Sequence, residues 1–251
     1  MEPGTSPHDN KDVYLQLIRK MQQQGAYYAS LAHIDAYRLR YGDSPELRRL
    51  QADALRETGQ GDAATPIYRG LLHGDQAAAA WHGLGLIAAA AGRQADAEQA
   101  LVQAVQLEPI NPAYLSDLGY ARLRAGQVDA AREPLSKAAQ LAPGDIKAIS
   151  NLALWAILAN QPQRADALMQ GAKLPQATRD AVYRMALQLR TAMASRTVAA
   201  ASRASIPASA AGTTASHAYP RHVPVPNEIT GIPGGVLDRF GNPPANREVN
   251  P

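Results

Sequence analysis

The residues best suited to holding a metal or moving a proton at neutral pH are six histidines: His8, His33, His73, His82, His217 and His222. No two of them stand three or four residues apart, so no helix would present the paired imidazoles of a zinc site. Cysteine is absent, which removes thiol nucleophiles, thiolate ligands and disulfides. There is no glycine-rich phosphate loop ending in Lys-Ser/Thr and no Gly-x-Ser-x-Gly elbow. Nothing assembles a nucleophile, its base and a group to orient the base. The expectation is a protein that is not an enzyme and takes no cofactor and no metal. What remains is recognition chemistry. The net charge of +3, from 25 basic and 22 acidic residues, is too small and dispersed for nucleic acid. Arg38, Arg40, Arg48, Arg49 and Arg56 concentrate near the start, as a solvated face or as a patch for an acidic partner or lipid headgroups.

The elements that would position a binding surface are written in a period of 34. Ala29, Ala63, Ala97, Ala131 and Ala165 are each 34 residues apart. Four residues behind them come His33, Ile67, Leu101, Leu135 and Met169, and seven behind come Ala36, Gly70, Ala104, Ala138 and Ala172. Small, large, small at i, i+4 and i+7 is one face of a helix that lets neighbours approach closely. On this reading His33 is a buried, satisfied core histidine. The third and fourth units match best: Trp81, Leu84, Gly85, Gly92, Ala97, Leu101, Ala104 and Pro109 recur 34 positions on as Leu115, Leu118, Gly119, Gly126, Ala131, Leu135, Ala138 and Pro143. Gly85 and Gly119 stand where a second helix crosses the first, Gly92 and Gly126 end the first helix, and the prolines end the second. Pro66 and Pro134, 68 residues apart, predict a late-starting or kinked second helix in alternate units.

This pattern resembles the tetratricopeptide repeat family over roughly residues 10–175. The resemblance implies an all-α, right-handed solenoid of about five helix–turn–helix repeats. Residues 176–194, with Val182, Met185, Ala186 and Leu189 on one side, read as a capping helix. The expected layout is a flexible segment over residues 1–9, the repeat domain with its cap over 10–195, and a disordered Ala/Ser/Pro-rich tail over 196–251. In that family the first helices line a concave groove that binds protein. Inward positions carried by the 34-residue period are Tyr14, Ile18 and Met21, then Arg48, Ala52, Leu55 and Arg56, then His82, Leu86 and Ala89. The fourth unit gives Ser116, Tyr120, Leu123 and Arg124, and the fifth Ser150, Leu154, Ile157 and Leu158. The later half is apolar and suits an amphipathic helix or an extended apolar segment, unless part of it packs beneath the cap. Leu86, Ala89, Tyr120 and Leu154 stand where chaperone-binding members carry a Lys/Asn carboxylate clamp, so a chaperone-tail adaptor is not expected.

The runs Leu115-Ser116-Asp117-Leu118-Gly119-Tyr120 and Ile149–Ala156 are similar to the TadD-type proteins of Flp (Tad) pilus assembly. That resemblance implies a bacterial lipoprotein acting like a pilotin for an outer-membrane secretin, on the periplasmic side of the outer membrane. Membrane association would come only through a lipid anchor on an N-terminal cysteine, and neither that cysteine nor a signal peptide is visible here. The alternative expectation is a cytoplasmic scaffold or regulatory adaptor using the same groove. In the tail, Ile229, Ile232, Val236, Leu237 and Phe240 cluster between Pro-Gly turns, either incidentally or as a short docking motif for a partner or for the chain's own groove.

Overall fold

A computed structural model describes residues 7–204, and among them the chain forms eleven α-helices and no strand. They are α1 (Pro7–Gln23), α2 (Tyr27–Tyr41), α3 (Pro45–Glu57), α4 (Gly61–Arg69), α5 (Ala77–Ala90), α6 (Gln94–Leu107), α7 (Pro112–Ala125), α8 (Val128–Leu141), α9 (Ile146–Leu158), α10 (Pro162–Gly171) and α11 (Gln176–Ala204). The first ten pair as five antiparallel hairpins stacked into a right-handed solenoid, and α11 packs on α9. Local signals start several of these helices. Asn111 accepts from the amides of Ala113 and Tyr114 ahead of Pro112, Asp145 accepts from Ala148, and Ser44 accepts from Leu47 ahead of Pro45.

The hairpin turns set the register. Gly25, Gly59, Gly92 and Gly126 have φ of +75°, +79°, +74° and +84°, and Asn160 takes the same place at +58°. Counting five, nine and twelve residues on from the turn gives Ser30, Ile34 and Tyr37 in the first hairpin, then Ala64, Tyr68 and Leu71 in the second. The third gives Ala97, Leu101 and Ala104, and the fourth Ala131, Leu135 and Ala138; all twelve are buried. The fifth gives buried Ala165 and Met169, with Ala172 half-buried.

Two of the five periodic alanines therefore do not do what the 34-residue comb assigns them. Ala29 and Ala63 are exposed, as are Ala36 and Gly70, and His33 is half-buried, hydrogen-bonded through Nδ1 to the Tyr14 hydroxyl at 3.0 Å. The cause is a single residue. Gly59 and Gly92 are 33 apart, not 34, and the missing position falls in the connection 70–76 after the short α4. For the same reason Pro66 and Pro134 are not equivalent. Pro66 lies seven residues past its turn and is exposed, whereas Pro134 lies eight past and is buried. Both helices continue through their proline. The carbonyl of Ala130, which Pro134 has no N–H to serve, accepts instead from Arg122 Nη1 at 3.0 Å.

Close approach of the helices rests on missing side chains. A Cβ on Gly119 would sit 2.4 Å from Leu135 Cγ, and one on Gly85 would sit 2.7 Å from Leu101 Cγ. Gly83 does the same for the preceding hairpin, where a Cβ would meet the Tyr68 ring at 2.2 Å. So α5 is packed tightly on both sides through two glycines two residues apart.

Polar groups cross from unit to unit as well. Asp117 is 6% exposed and accepts from His82 Nε2 and from Lys147 Nζ, both at 2.8 Å, so one carboxylate ties α5, α7 and α9 together. Burial by itself would raise its pKa. The Lys147 ammonium and the His82 ring outweigh that and hold the carboxyl well below the usual carboxylate range. Asn151 Nδ2 donates to Ser116 Oγ at 3.0 Å between α9 and α7. The capping helix runs nine residues beyond the expected boundary at 195, because the Ala-rich stretch after Ser195 favours helix and meets no proline until Pro207.

Three outcomes test this packing. Ala64→Leu should destabilise the protein by about 1–3 kcal/mol through overpacking, while Ala63→Leu next to it should stay within about 0.5 kcal/mol of wild type in urea denaturation. The reverse ranking would restore the 34-residue register. Gly119→Ala gains helix propensity of about 1 kcal/mol but meets Leu135, so a net loss of stability is expected, smaller in a Leu135→Ala background. Because the folded pKa of Asp117 is depressed, its stabilisation is present above the unfolded value near 3.9 and is lost as pH falls toward the folded one. Asp117→Asn should lower stability at pH 7 by about 3–5 kcal/mol and flatten the loss that wild type shows below about pH 4, read from denaturation midpoints across pH.

Candidate functional site

The inward strip of the solenoid is carried by the first helices α1, α3, α5, α7 and α9. Measured back from each turn residue, positions ten, six and three before it form the strip. The first hairpin contributes Leu15, Arg19 and Gln22, and the second Arg49, Asp53 and Arg56. The third contributes His82, Leu86 and Ala89, the fourth Ser116, Tyr120 and Leu123, and the fifth Ser150, Leu154 and Ile157. In units three to five this count returns positions already named from the sequence, without Arg124 and Leu158. In units one and two it does not, because the one-residue shift turns other side chains inward. Ile18 and Ala52 are fully buried core residues, and Leu55 packs in the cluster around Tyr68.

The corrected strip is charged in its first half, and its ions are paired. Arg19 binds Glu46 across α1 and α3. Arg49 pairs with Asp53 and donates through Nε to Gln76 Oε1 at 2.8 Å. The Tyr68 hydroxyl donates to Asp53 Oδ1 at 2.7 Å, and Arg56 Nη2 lies 2.7 Å from Glu57 Oε1. Burial and the Asp53 carboxylate push the Tyr68 phenol far above its ordinary range. Burial would discharge Arg56, but Tyr68, Glu57 and Asp53 more than compensate and keep its guanidinium charged. Outside the strip, Arg38 reaches Asp35 and Asp43, and Arg48 reaches Asp43. The arginines near the start are therefore mostly a mesh of neutralised pairs and not a basic patch. The sequence signal that could have found Arg49 and Asp53 was the 33-residue step between Gly59 and Gly92.

The second half is apolar, and α11 covers it. Leu123 and Leu154 are 0% exposed, Ile157 4% and Leu158 9%, in one cluster with Val182, Met185, Ala186 and Leu189 of α11. The Tyr120 hydroxyl donates to Met185 Sδ at 3.6 Å. Arg190 Nη2 donates to the Ile157 carbonyl at 2.5 Å and to Asn160 Oδ1 at 3.0 Å, and Arg196 Nη1 donates to the Arg124 carbonyl at 2.8 Å. The expected open groove over Tyr120, Leu123, Leu154, Ile157 and Leu158 is thus filled by the chain itself, because the stripe on α11 matches it. Ser116 and Ser150 are buried with it. The uncovered part centres on α5. There His82 (18% exposed) sits between Asp117 and the Tyr114 ring, 4.5 Å from it, while Leu86 and Ala89 are half-buried. Burial, followed by the Glu108 carboxylate, pushes the Tyr114 phenol up to about 12. Arg124 closes this stretch by donating from Nη1 to the Ala89 carbonyl at 3.2 Å. Ile232, Val236, Leu237 and Phe240 lie outside the described residues.

No family model matches the chain. A TPR repeat-containing protein, PA4299, of Pseudomonas aeruginosa is 32% identical over 157 residues, covering 62% of each chain, so the match spans less than two thirds of that relative's length. Among solved structures, Pseudomonas aeruginosa PilF superposes with a TM-score of 0.57 at 19% identity, covering 76% of this chain and 87% of that one. MamA of Desulfovibrio magneticus RS-1, from residue 41 to its end, superposes with a TM-score of 0.50 at 18% identity, covering 66% and 94%. At those identities the likeness is one of fold. With five hairpins counted from a shared turn and these likenesses, the chain has the fold of a tetratricopeptide-repeat solenoid and is similar to proteins of that kind.

Proposed function

We propose that this chain is a non-catalytic adaptor of a pilus or secretion machine, working on the periplasmic side of the outer membrane. Its concave face holds a helix or an extended segment of an assembly component, with the outer-membrane secretin as the partner. The TadD-like runs 115–120 and 149–156 support the pilus setting, and the PilF likeness adds a matching fold. The observation that carries the binding reading is the uncovered strip on α5. Leu86 and Ala89 present apolar surface there, flanked by His82 and by arginines that already have carboxylate partners. Arg49 and Arg56 are engaged with Asp53 and Glu57, so the strip has no free clamp for a terminal carboxylate. A segment recognised mainly by apolar burial fits it.

The test is co-purification of the secretin with tagged protein from cell envelopes, comparing wild type with Leu86→Asp/Ala89→Asp. The variant should lose the secretin while keeping its helicity by circular dichroism, and wild-type capture should depend only weakly on salt. A folded variant that still retains the secretin would remove the concave face from the reading. Leu154 is unsuitable for this purpose: as a fully buried residue under α11, its replacement by a charge tests folding instead of binding.

A further inference from the structure

The fit of α11 to the concave face resembles a bound ligand more than a terminal cap. In the body of the solenoid each new first helix packs against the second helix before it, as α5 does on α4, α7 on α6 and α9 on α8. In contrast, α11 packs on α9, a first helix, and reaches the end of α7. Its inner stripe of Val182, Met185, Ala186, Leu189 and Met193 has the i, i+3, i+4, i+7 spacing by which an amphipathic helix fills a groove.

The fit is incomplete in polar terms. Ser150 Oγ and Asn151 Oδ1 belong to side chains 0% and 1% exposed, and neither atom has a hydrogen-bond partner. Ser150 stands at an inward position of α9. A buried polar atom left unmatched costs stability, so an occupant offering it a hydrogen bond would bind better than α11 does. The outer side of α11 is unlike a cap as well. Leu187 is 68% exposed and Val198 67%, where a terminal helix is expected to be polar. Finally, α11 is the last described helix, and it hangs from a four-residue connection, residues 172–175, in which Lys173 holds φ at +52°. The helix-to-helix contacts that pair α1 with α2 through α9 with α10 do not run through α11.

We propose that the concave face of units four and five is a helix-binding site that α11 fills as an exchangeable stand-in. Its partner is an amphipathic helix of another protein, with an apolar stripe spaced like that of α11 and a hydrogen-bonding side chain for the Ser150–Asn151 pair. This rests on the interaction-module reading above but uses a different stretch of the face. The Leu86→Asp/Ala89→Asp experiment does not touch it, so either can fail alone.

The test uses a fluorescent synthetic peptide of residues 176–198 as the probe, and the full chain as wild type and as Leu189→Asp, which loosens α11. Fluorescence anisotropy should show the loosened chain binding the peptide at least about 10-fold more tightly than wild type, because the site is no longer occupied in cis. The same peptide with Met185→Asp should not bind. A folded Leu189→Asp chain that ignores the probe would overturn the proposal. Hydrogen exchange on wild-type protein decides the matter if that variant fails to fold. Amides of residues 182–189 should exchange at least about 10-fold faster than those of α9, and equal protection of the two helices would make α11 an integral part of the core.

Discussion

A residue in the left-handed region closes each hairpin, and every buried position of the solenoid is counted from it. Four of the five are glycine, for which positive φ carries no Cβ penalty, and the fifth is Asn160. Once the turn is placed, the 3.6-residue helix determines which side chains meet the first helix and which meet solvent. A shift of one residue rotates a helix face by about 100°. That rotation separates buried Ala64 from exposed Ala63 and sets Arg49 and Asp53 on the concave side in place of Arg48 and Ala52.

Packing within each hairpin, and between the second and third, then follows from size. Leu101 and Leu135 rest on Gly85 and Gly119, and Tyr68 rests on Gly83, so helices approach where one partner has no side chain. The same close approach puts side chains on the first helices within reach of the next unit, and the polar links exploit it. His82 to Asp117 and Asn151 to Ser116 each span 35 residues, one repeat plus one position. Asp117 is the most consequential of these groups, since it is buried and holds the Lys147 ammonium and the His82 ring at once. The apolar contacts inside the hairpins and the polar contacts between units thus come from one geometry.

The concave face is divided between these two kinds of contact. In units one and two it is a mesh of paired ions, which costs little to leave in water and offers little net charge to a partner. In units four and five it is apolar and would be exposed, and α11 removes it from solvent. Between them, the stretch on α5 combines apolar surface with partial exposure at Leu86 and Ala89. The recognition proposed for this face therefore has two places to act, one open and one already occupied by the chain.

Much of this was legible in the chain as written. Helical hairpins, the turn glycines and the buried triplets of units three and four are near-neighbour properties. A 3.6-residue period and a glycine at a turn express them without reference to the rest of the fold. The apolar stripes on α9 and on residues 182–189 were legible too, each as a face needing cover. Tertiary structure decided which face covered which, because periodicity says that a stripe is buried but not against what. It also decided the register of the first two hairpins. There five alanines in perfect period outvoted a single 33-residue step between glycines, and the backbone obeyed the glycines, since a positive φ is a steric demand on one residue whereas an alanine is at ease on either side of a helix.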